Sequence, residues 1–243
     1  MNTIINIREN IKIVQDSTNK NIYSIHFSSY NAALINSIIK TRILLGATST
    51  NNYKTIMFKA STVETFYQFR EEQLIPKLST PMAAKMLQNL TQQLKYLNIQ
   101  EYKTIIGYNP ENIIVIDRER FIYLCSEYLL DIDPNSSTFT ITFPFSREDF
   151  IITPELSKII EIPTSIHYKS SVFSLGCLIL YVLTGDDNLL LKIISEDENY
   201  LSLSLEEYVN KYLDSLPING SKFYWLLKRT LVEEPEKRCI LFI

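Results

Sequence analysis

The sequence predicts a mixed α+β chain: a small β-rich first part, then a larger and mainly helical body. Three observations predict it. Residues 4–27 run in short apolar bursts broken by the polar stretch "QDSTNKN", which is turn chemistry between antiparallel strands. From Thr80 onward, apolar residues recur at helical spacing for about four turns. The near-continuous apolar run at 172–183 reads as a helix buried on all sides. With 243 residues, 46% of them apolar, the chain can bury the core of one large domain or of two small lobes.

Each element follows in order. After the 4–27 hairpin, Ala33, Leu34, Ile38, Ile39, Leu44 and Leu45 suit a helix over 30–45, with Gly46 as its stop. "YKTIMF" supplies another strand, so residues 1–60 form a reduced first domain of strands plus one helix and 61–243 form the helical remainder. There, Thr80-Pro81 opens a helix with Pro pre-set for its first turn, and Met82, Met86, Leu87, Leu90, Leu94 and Leu97 line one face. Residues 113–116 and 121–125 flank the polar turn "DRER" as a second hairpin, and 126–155, rich in Ser, Thr and Pro, is expected to be mostly loop. Helices are expected over 170–183, 205–216 and 222–232. No internal repeat is visible.

Charge is unevenly spread. No acidic residue lies between Asp16 and Glu64, whereas Lys20, Lys40, Arg42, Lys54 and Lys59 are basic, so a basic first part precedes an acidic body. These cations lack interleaved aromatic repeats, which argues against nucleic acid as a partner. Cys125, Cys177 and Cys239 are odd in number, far apart and set in apolar surroundings, the pattern of buried thiols in a reducing compartment, cytoplasm or nucleus, with no disulfide framework or zinc spacing. The longest apolar run is too short to span a bilayer, and no membrane association is expected.

Between Ile105 and Ile116 the chain reads "IIGYNPENIIVI". Order and spacing around it carry a resemblance. "TIMFKASTVETFYQFREEQL" resembles the strand and hinge joining the two lobes of a protein kinase, and "MAAKMLQNLTQQLKYLN" resembles the helix leading to the catalytic loop. "NPENIIVI" resembles the end of that loop. Thr153-Pro154-Glu155 stands where kinases carry Ala-Pro-Glu, "KSSVFSLGCLILYVLTG" resembles the central helix, and "LVEEPEKRC" resembles the Asp-Pro-x-x-Arg turn near the end. These landmarks fall in kinase order over residues 54–239, so the resemblance implies a bilobal protein-kinase-like fold with a small β-rich N-lobe and a larger helical C-lobe. It also implies that Glu155 pairs with Arg238 and that Gly176 lies in the central helix, as structural positions.

Phosphoryl transfer needs a phosphate cradle, a lysine on the phosphates, carboxylates for magnesium and a base for the hydroxyl. Residues 1–45 contain no glycine, so the glycine-rich cradle is absent. "NIYSIHF" resembles the Val-Ala-Ile-Lys strand and places His26 in the lysine slot, with Ser24 two residues before it. An imidazole on a short stem is a poor substitute for an ammonium on four carbons. No acid between Ser17 and Val63 can hold such a lysine. Matching Asn112 to the family asparagine puts Gly107 at the catalytic aspartate, Ile106 at the arginine and Ile105 at the histidine. "YLCSEYL" puts Ser126 at the metal-binding aspartate; Ser126 cannot replace a carboxylate on magnesium, but a one-residue slip brings Glu127 there. Losing the base alone forfeits about 10² to 10⁴ in rate.

The resemblance therefore implies a catalytically inactive pseudokinase with no cofactor or metal. It is expected to act as a scaffold or allosteric regulator of a protein partner, an active enzyme or a multi-subunit complex, with ATP not expected among its ligands. The alternative is a divergent ATP-dependent transferase, or a nucleotide binder without turnover, using Glu127 and Asn112 with Asp117, a turn residue expected to face solvent. Candidate surfaces are the basic first part, "VETFYQFREEQL" and the acidic "ISEDENYLSLSLEEY". The terminal Leu241, Phe242 and Ile243 are a further candidate contact for another chain.

Overall fold

The computed structural model describes residues 4–8, 10–50, 52–72, 77–146, 148–186 and 204–240. It is a mixed α+β structure of small antiparallel sheets and several helices. The chain divides into two compact units, Met1–Pro76 with Lys85–Lys103 and Pro110–Leu129, and Lys77–Ala84 with Thr104–Asn109 and Leu130–Ile243. This division does not fall after residue 60: the second hairpin belongs with the first sheet because the two share one core.

In the first unit, β1 (Ile4–Arg8), β2 (Ile11–Gln15), β3 (Ile22–Phe27), β4 (Leu45–Ser49) and β5 (Thr55–Lys59) form one sheet in the order β1-β2-β3-β5-β4, all neighbours antiparallel. Asp16 Oδ1 accepts from Thr18 N, Asn19 N and Thr18 Oγ1, which shapes the β2–β3 turn. The period-2 pattern gives the sheet two different faces. Ile11, Ile13, Tyr23, Ile25, Phe27, Ile56 and Phe58 are buried, whereas Lys12, Ser24, His26, Thr55 and Met57 alternate with them on the other face.

Helix α1 (Ala32–Lys40) covers the apolar face with Leu34, Ile35 and Ile38, and Asn31 caps it by accepting from Leu34 N at 3.1 Å. It stops at Thr41, whose hydroxyl bonds back to Ser37 O. The expectation of a helix over 30–45 ended by Gly46 is corrected here. Leu45 and Gly46 belong to β4, where the register against β5 is irregular and Gly46 takes φ +61.

β6 (Val63–Thr65), β8 (Ile113–Ile116) and β9 (Arg120–Tyr123) form a second sheet in the order β6-β8-β9. Helix α2 (Phe66–Glu72) follows β6 directly. Helix α3 (Thr80–Gln100) buries Met86, Leu87, Leu90, Leu94 and Leu97, with Met82 only half-buried. Its buried Gln93 pairs like a strand with Tyr123, accepting from the backbone N–H at 3.0 Å and donating to the carbonyl at 2.9 Å. Two short strands complete this part of the chain, β7 (Lys103–Ile105) and β10 (Leu129–Asp131).

In the second unit, the segment expected to be mostly loop also contains β11 (Thr138–Ile141), paired with β12 (Thr164–His167), and the short helix α4 (Pro154–Ser157). Helix α5 (Ser170–Thr184) is buried along almost its whole length and ends on Gly185 with φ 68. Helices α6 (Leu205–Ser215) and α7 (Lys222–Thr230) follow, α6 starting with a Ser204/Glu207 capping box. Gly176 lets α7 approach α5: a Cβ there would stand 2.6 Å from Thr230 Oγ1 and 2.9 Å from Leu231 Cδ2.

Cys125 and Cys177 are buried free thiols; Cys239 is exposed, a correction to the expectation of three buried ones. Burial pushes the Cys177 thiol well above its ordinary range. No helix of the described residues is long and apolar enough to cross a membrane.

Candidate functional site

The inner face of the five-stranded sheet packs against α1. An ion pair between a strand and the helix packed on it requires both partners between sheet and helix. Among the described residues that space buries no charged side chain. Ile5, Ile13, Ile25 and Ile56 of the sheet and Leu34, Ile35 and Ile38 of α1 form one cluster with Ile114, Ile116, Ile122 and Leu124 of the second hairpin, and most of them have no exposed surface. β1 also lies close to β6 and to the 3-10 turn Pro110–Asn112.

His26 is not in that space. It sits on the opposite face, with Nε2 2.8 Å from Ser24 Oγ and Nδ1 3.3 Å from Thr55 Oγ1. The Ser24 hydroxyl also lies 3.3 Å from Val14 O and so stands between the ring and the β2 backbone. Partial burial, assisted by Lys12, lowers the His26 pKa below its ordinary value and favours the neutral ring. Strand alternation turns His26 to the face opposite the one that α1 covers.

The loop before Asn112 lies in the second unit up to Asn109. Ile105 and Ile106 are buried as core residues. Gly107 is enclosed: a Cβ there would meet Phe150 Cδ2 at 2.8 Å and Ile151 O at 3.0 Å. The loop is held by Tyr108 N donating to Ser174 Oγ at 2.9 Å and by Ile151 N donating to Tyr108 O at 2.8 Å. No larger residue, a carboxylate included, fits at Gly107 without displacing the segment at Phe150.

In the first unit, Asn112 is fully buried. Its backbone carbonyl accepts from Leu124 N at 2.8 Å, its Nδ2 lies 3.5 Å from the Tyr123 hydroxyl, and its Oδ1 has no hydrogen-bond partner among the described residues. Ser126 is half-buried and Glu127 is exposed. Glu127 Oε1 accepts from Asn10 Nδ2 at 2.5 Å. Asn10 is itself fixed, with its carbonyl accepting from Ser28 N at 2.9 Å and its Oδ1 from Ser28 Oγ at 3.3 Å. Asn10 carries no signal in the sequence, because its partners Ser28 and Glu127 lie far along the chain.

Asp117 does not face solvent as expected. Its Oδ1 accepts from Ser61 N at 2.6 Å and Thr62 N at 3.1 Å, and its Oδ2 pairs with Arg120. Arg118 beside it pairs with Glu64 and Glu72. These contacts fasten residues 61–72 to the β8–β9 turn, and they occupy the carboxylate assigned to a metal in the alternative reading. Among the described residues, no group of three or more His, Cys, Asp or Glu could hold a metal ion.

In the second unit the structure brings Glu155 and Arg238 together as an ion pair, Arg238 wholly buried and Glu155 nearly so. The guanidinium also donates to Val232 O at 2.7 Å, Glu233 O at 2.7 Å and Lys169 O at 3.3 Å, and lies 4.9 Å from the Phe173 ring centroid. Most of the acidic stretch 194–208 and the terminal 241–243 lie outside the described residues.

A scan of the chain against protein-family models finds no match, and no curated protein matches it.

Proposed function

We propose that this chain is a kinase-like module without phosphoryl-transfer chemistry, which works through its surface as a scaffold or as a regulator of a protein partner. The observation that carries this reading is the uncharged core of the first unit, where α1, the inner sheet face and the β8–β9 hairpin meet in one apolar cluster. A phosphate and its metal need placed charges, and the cluster supplies none. Two further features support it. Gly107 has no space for a catalytic carboxylate, and Glu127, the remaining candidate for a metal ligand, is engaged by Asn10. The positions that hold the second unit together, Glu155, Arg238 and Gly176, keep their contacts. Free thiols at Cys125, Cys177 and Cys239 suit a reducing compartment, cytoplasm or nucleus.

The test is the melting temperature of the purified chain with ATP, with and without magnesium or manganese, beside a phosphate-transfer assay. The expected result is no metal-dependent shift and no transfer. A metal-dependent shift that disappears in Glu127→Ala would overturn the reading in favour of a nucleotide site at Glu127 and Asn112.

A further inference from the structure

On the outer face of the five-stranded sheet Asn6, Lys12, Met57 and Lys59 are exposed and Val14, Ser24, His26 and Thr55 half-buried, and the charged side chains described there are basic. Lys12 and Lys59 stand exposed on this face, Lys20 and Lys54 flank it in the turns before β3 and β5, and Asp16 is the only acid between Lys12 and Lys59 in sequence. None of these four side chains pairs with a carboxylate among the described residues. By contrast, Lys85, Arg118, Arg120, Lys158, Lys237 and Arg238 are all paired. Asp16 turns its carboxylate onto its own loop, at Thr18 and Asn19, so it does not neutralise its neighbours. Over its whole length the first unit holds thirteen basic residues against ten acidic, and the second eleven against seventeen. The positive field is local to the first unit.

Cross-strand register organises this face into rows. One row reads Asn6, Lys12, His26, Thr55, and the next reads Ile4, Val14, Ser24, Met57. The polar row borders a recess of about 610 Å³ whose walls include Asn6, Asn10, Lys12, His26 and Ser28. The second row leaves Ile4 and Met57 58% and 44% exposed. Thus a polar recess with Lys12 in its wall and an apolar stripe lie side by side on one surface.

We propose that this face docks an acidic segment of a partner protein, with a carboxylate entering the recess beside Lys12 and apolar side chains resting on Ile4 and Met57. Charge complementarity argues for the acidic partner. The absence of Phe, Tyr or Trp from the outward positions of these rows argues for protein over single-stranded nucleic acid, which binds by stacking bases on aromatic rings. Apolar complement beside the charges is a requirement that a carboxylate-bearing peptide meets and a phosphate backbone does not. The inference rests on the scaffold reading and names the chemistry of its partner.

The test uses the full chain and three labelled probes read by fluorescence anisotropy: a Glu/Leu peptide, its Lys/Leu counterpart and an oligothymidylate of matched charge. The expected result is binding of the Glu/Leu peptide alone, weakening as salt is raised and falling by about tenfold or more in Lys12→Glu/Lys59→Glu. Lys222→Glu, an exposed reversal on α7, keeps the wild-type affinity. Lys12→Gln/Lys59→Gln, which adds no charge, lowers affinity in the same direction, with an unchanged melting temperature showing that the fold is intact. Equal affinity in wild type and both double variants, or no binding of the Glu/Leu peptide, would overturn the proposal. Tighter binding of oligothymidylate, lost in the same variants, would overturn it by assigning the face to nucleic acid. None of these variants bears on phosphate transfer, so failure here and failure of the non-catalytic reading remain separate results.

Discussion

The buried guanidinium of Arg238 reaches the carboxylate of Glu155 across 83 residues of chain. Three backbone carbonyls and the face of Phe173 complete its surroundings, so a single side chain ties together the segment 232–233, the start of α5 and helix α4. Breaking such a pair leaves an uncompensated buried charge. Glu155→Ala is expected to destabilise the chain by about 3 to 5 kcal/mol, and Arg238→Ala by a similar amount. Urea unfolding of the two single variants and the double variant measures this, and the double is expected to cost much less than the sum of the singles.

Gly107→Ala places a methyl group 2.8 Å from Phe150 Cδ2 and 3.0 Å from a backbone oxygen. Only one of these neighbours is a side chain that can turn aside, so the expected cost is about 1 to 3 kcal/mol. Gly107→Asp costs more and yields no phosphate transfer. Circular-dichroism melts and a transfer assay on both variants check this.

Asp117 holds two backbone N–H groups and Arg120 at the β8–β9 turn. Asp117→Ala leaves Ser61 N and Thr62 N without this acceptor and is expected to cost about 1 to 3 kcal/mol. Amide hydrogen exchange is expected to accelerate at 61–62 first, ahead of the β8–β9 strands.

The two histidines set a pH dependence whose sign can be stated. His26 and His167 both have folded pKa values below 6.5, in each case chiefly through burial. The unfolded chain therefore takes up protons first as pH falls. The stability present above about pH 6.5 is lost as pH drops from there through the lowered folded values. His26→Gln removes one of the two contributions, so its stability is expected to fall less steeply below pH 6.5 than that of the wild type. Denaturant midpoints across the acid range measure it.

Ile114 lies at the centre of the shared core with no exposed surface. Ile114→Ala is expected to cost about 2 to 5 kcal/mol and Ile114→Val about 0.5 to 1.5 kcal/mol. Because the hairpin and the sheet share this core, near-ultraviolet circular dichroism and far-ultraviolet melts are expected to lose structure in one transition.

The sequence by itself determined the elements whose signal is local. Period-2 alternation marked β2, β3 and β5, the "DRER" turn marked the second hairpin, Thr80-Pro81 marked the start of α3, and the all-round apolar run marked α5 as central. The absence of acid between Ser17 and Val63 excluded a lysine–glutamate pair from any strand and helix there, and no folding could restore it. Tertiary structure decided what depends on partners distant in the chain. It turned His26 away from α1, because one step along a strand exchanges the two faces. It ended α1 at Lys40, because Leu45 and Gly46 pair with β5 and that ladder outweighs helical spacing. It closed Gly107 under Phe150, tied Glu127 to Asn10 and joined the second hairpin to the first sheet, since each of these contacts is made by side chains whose neighbours only packing brings together.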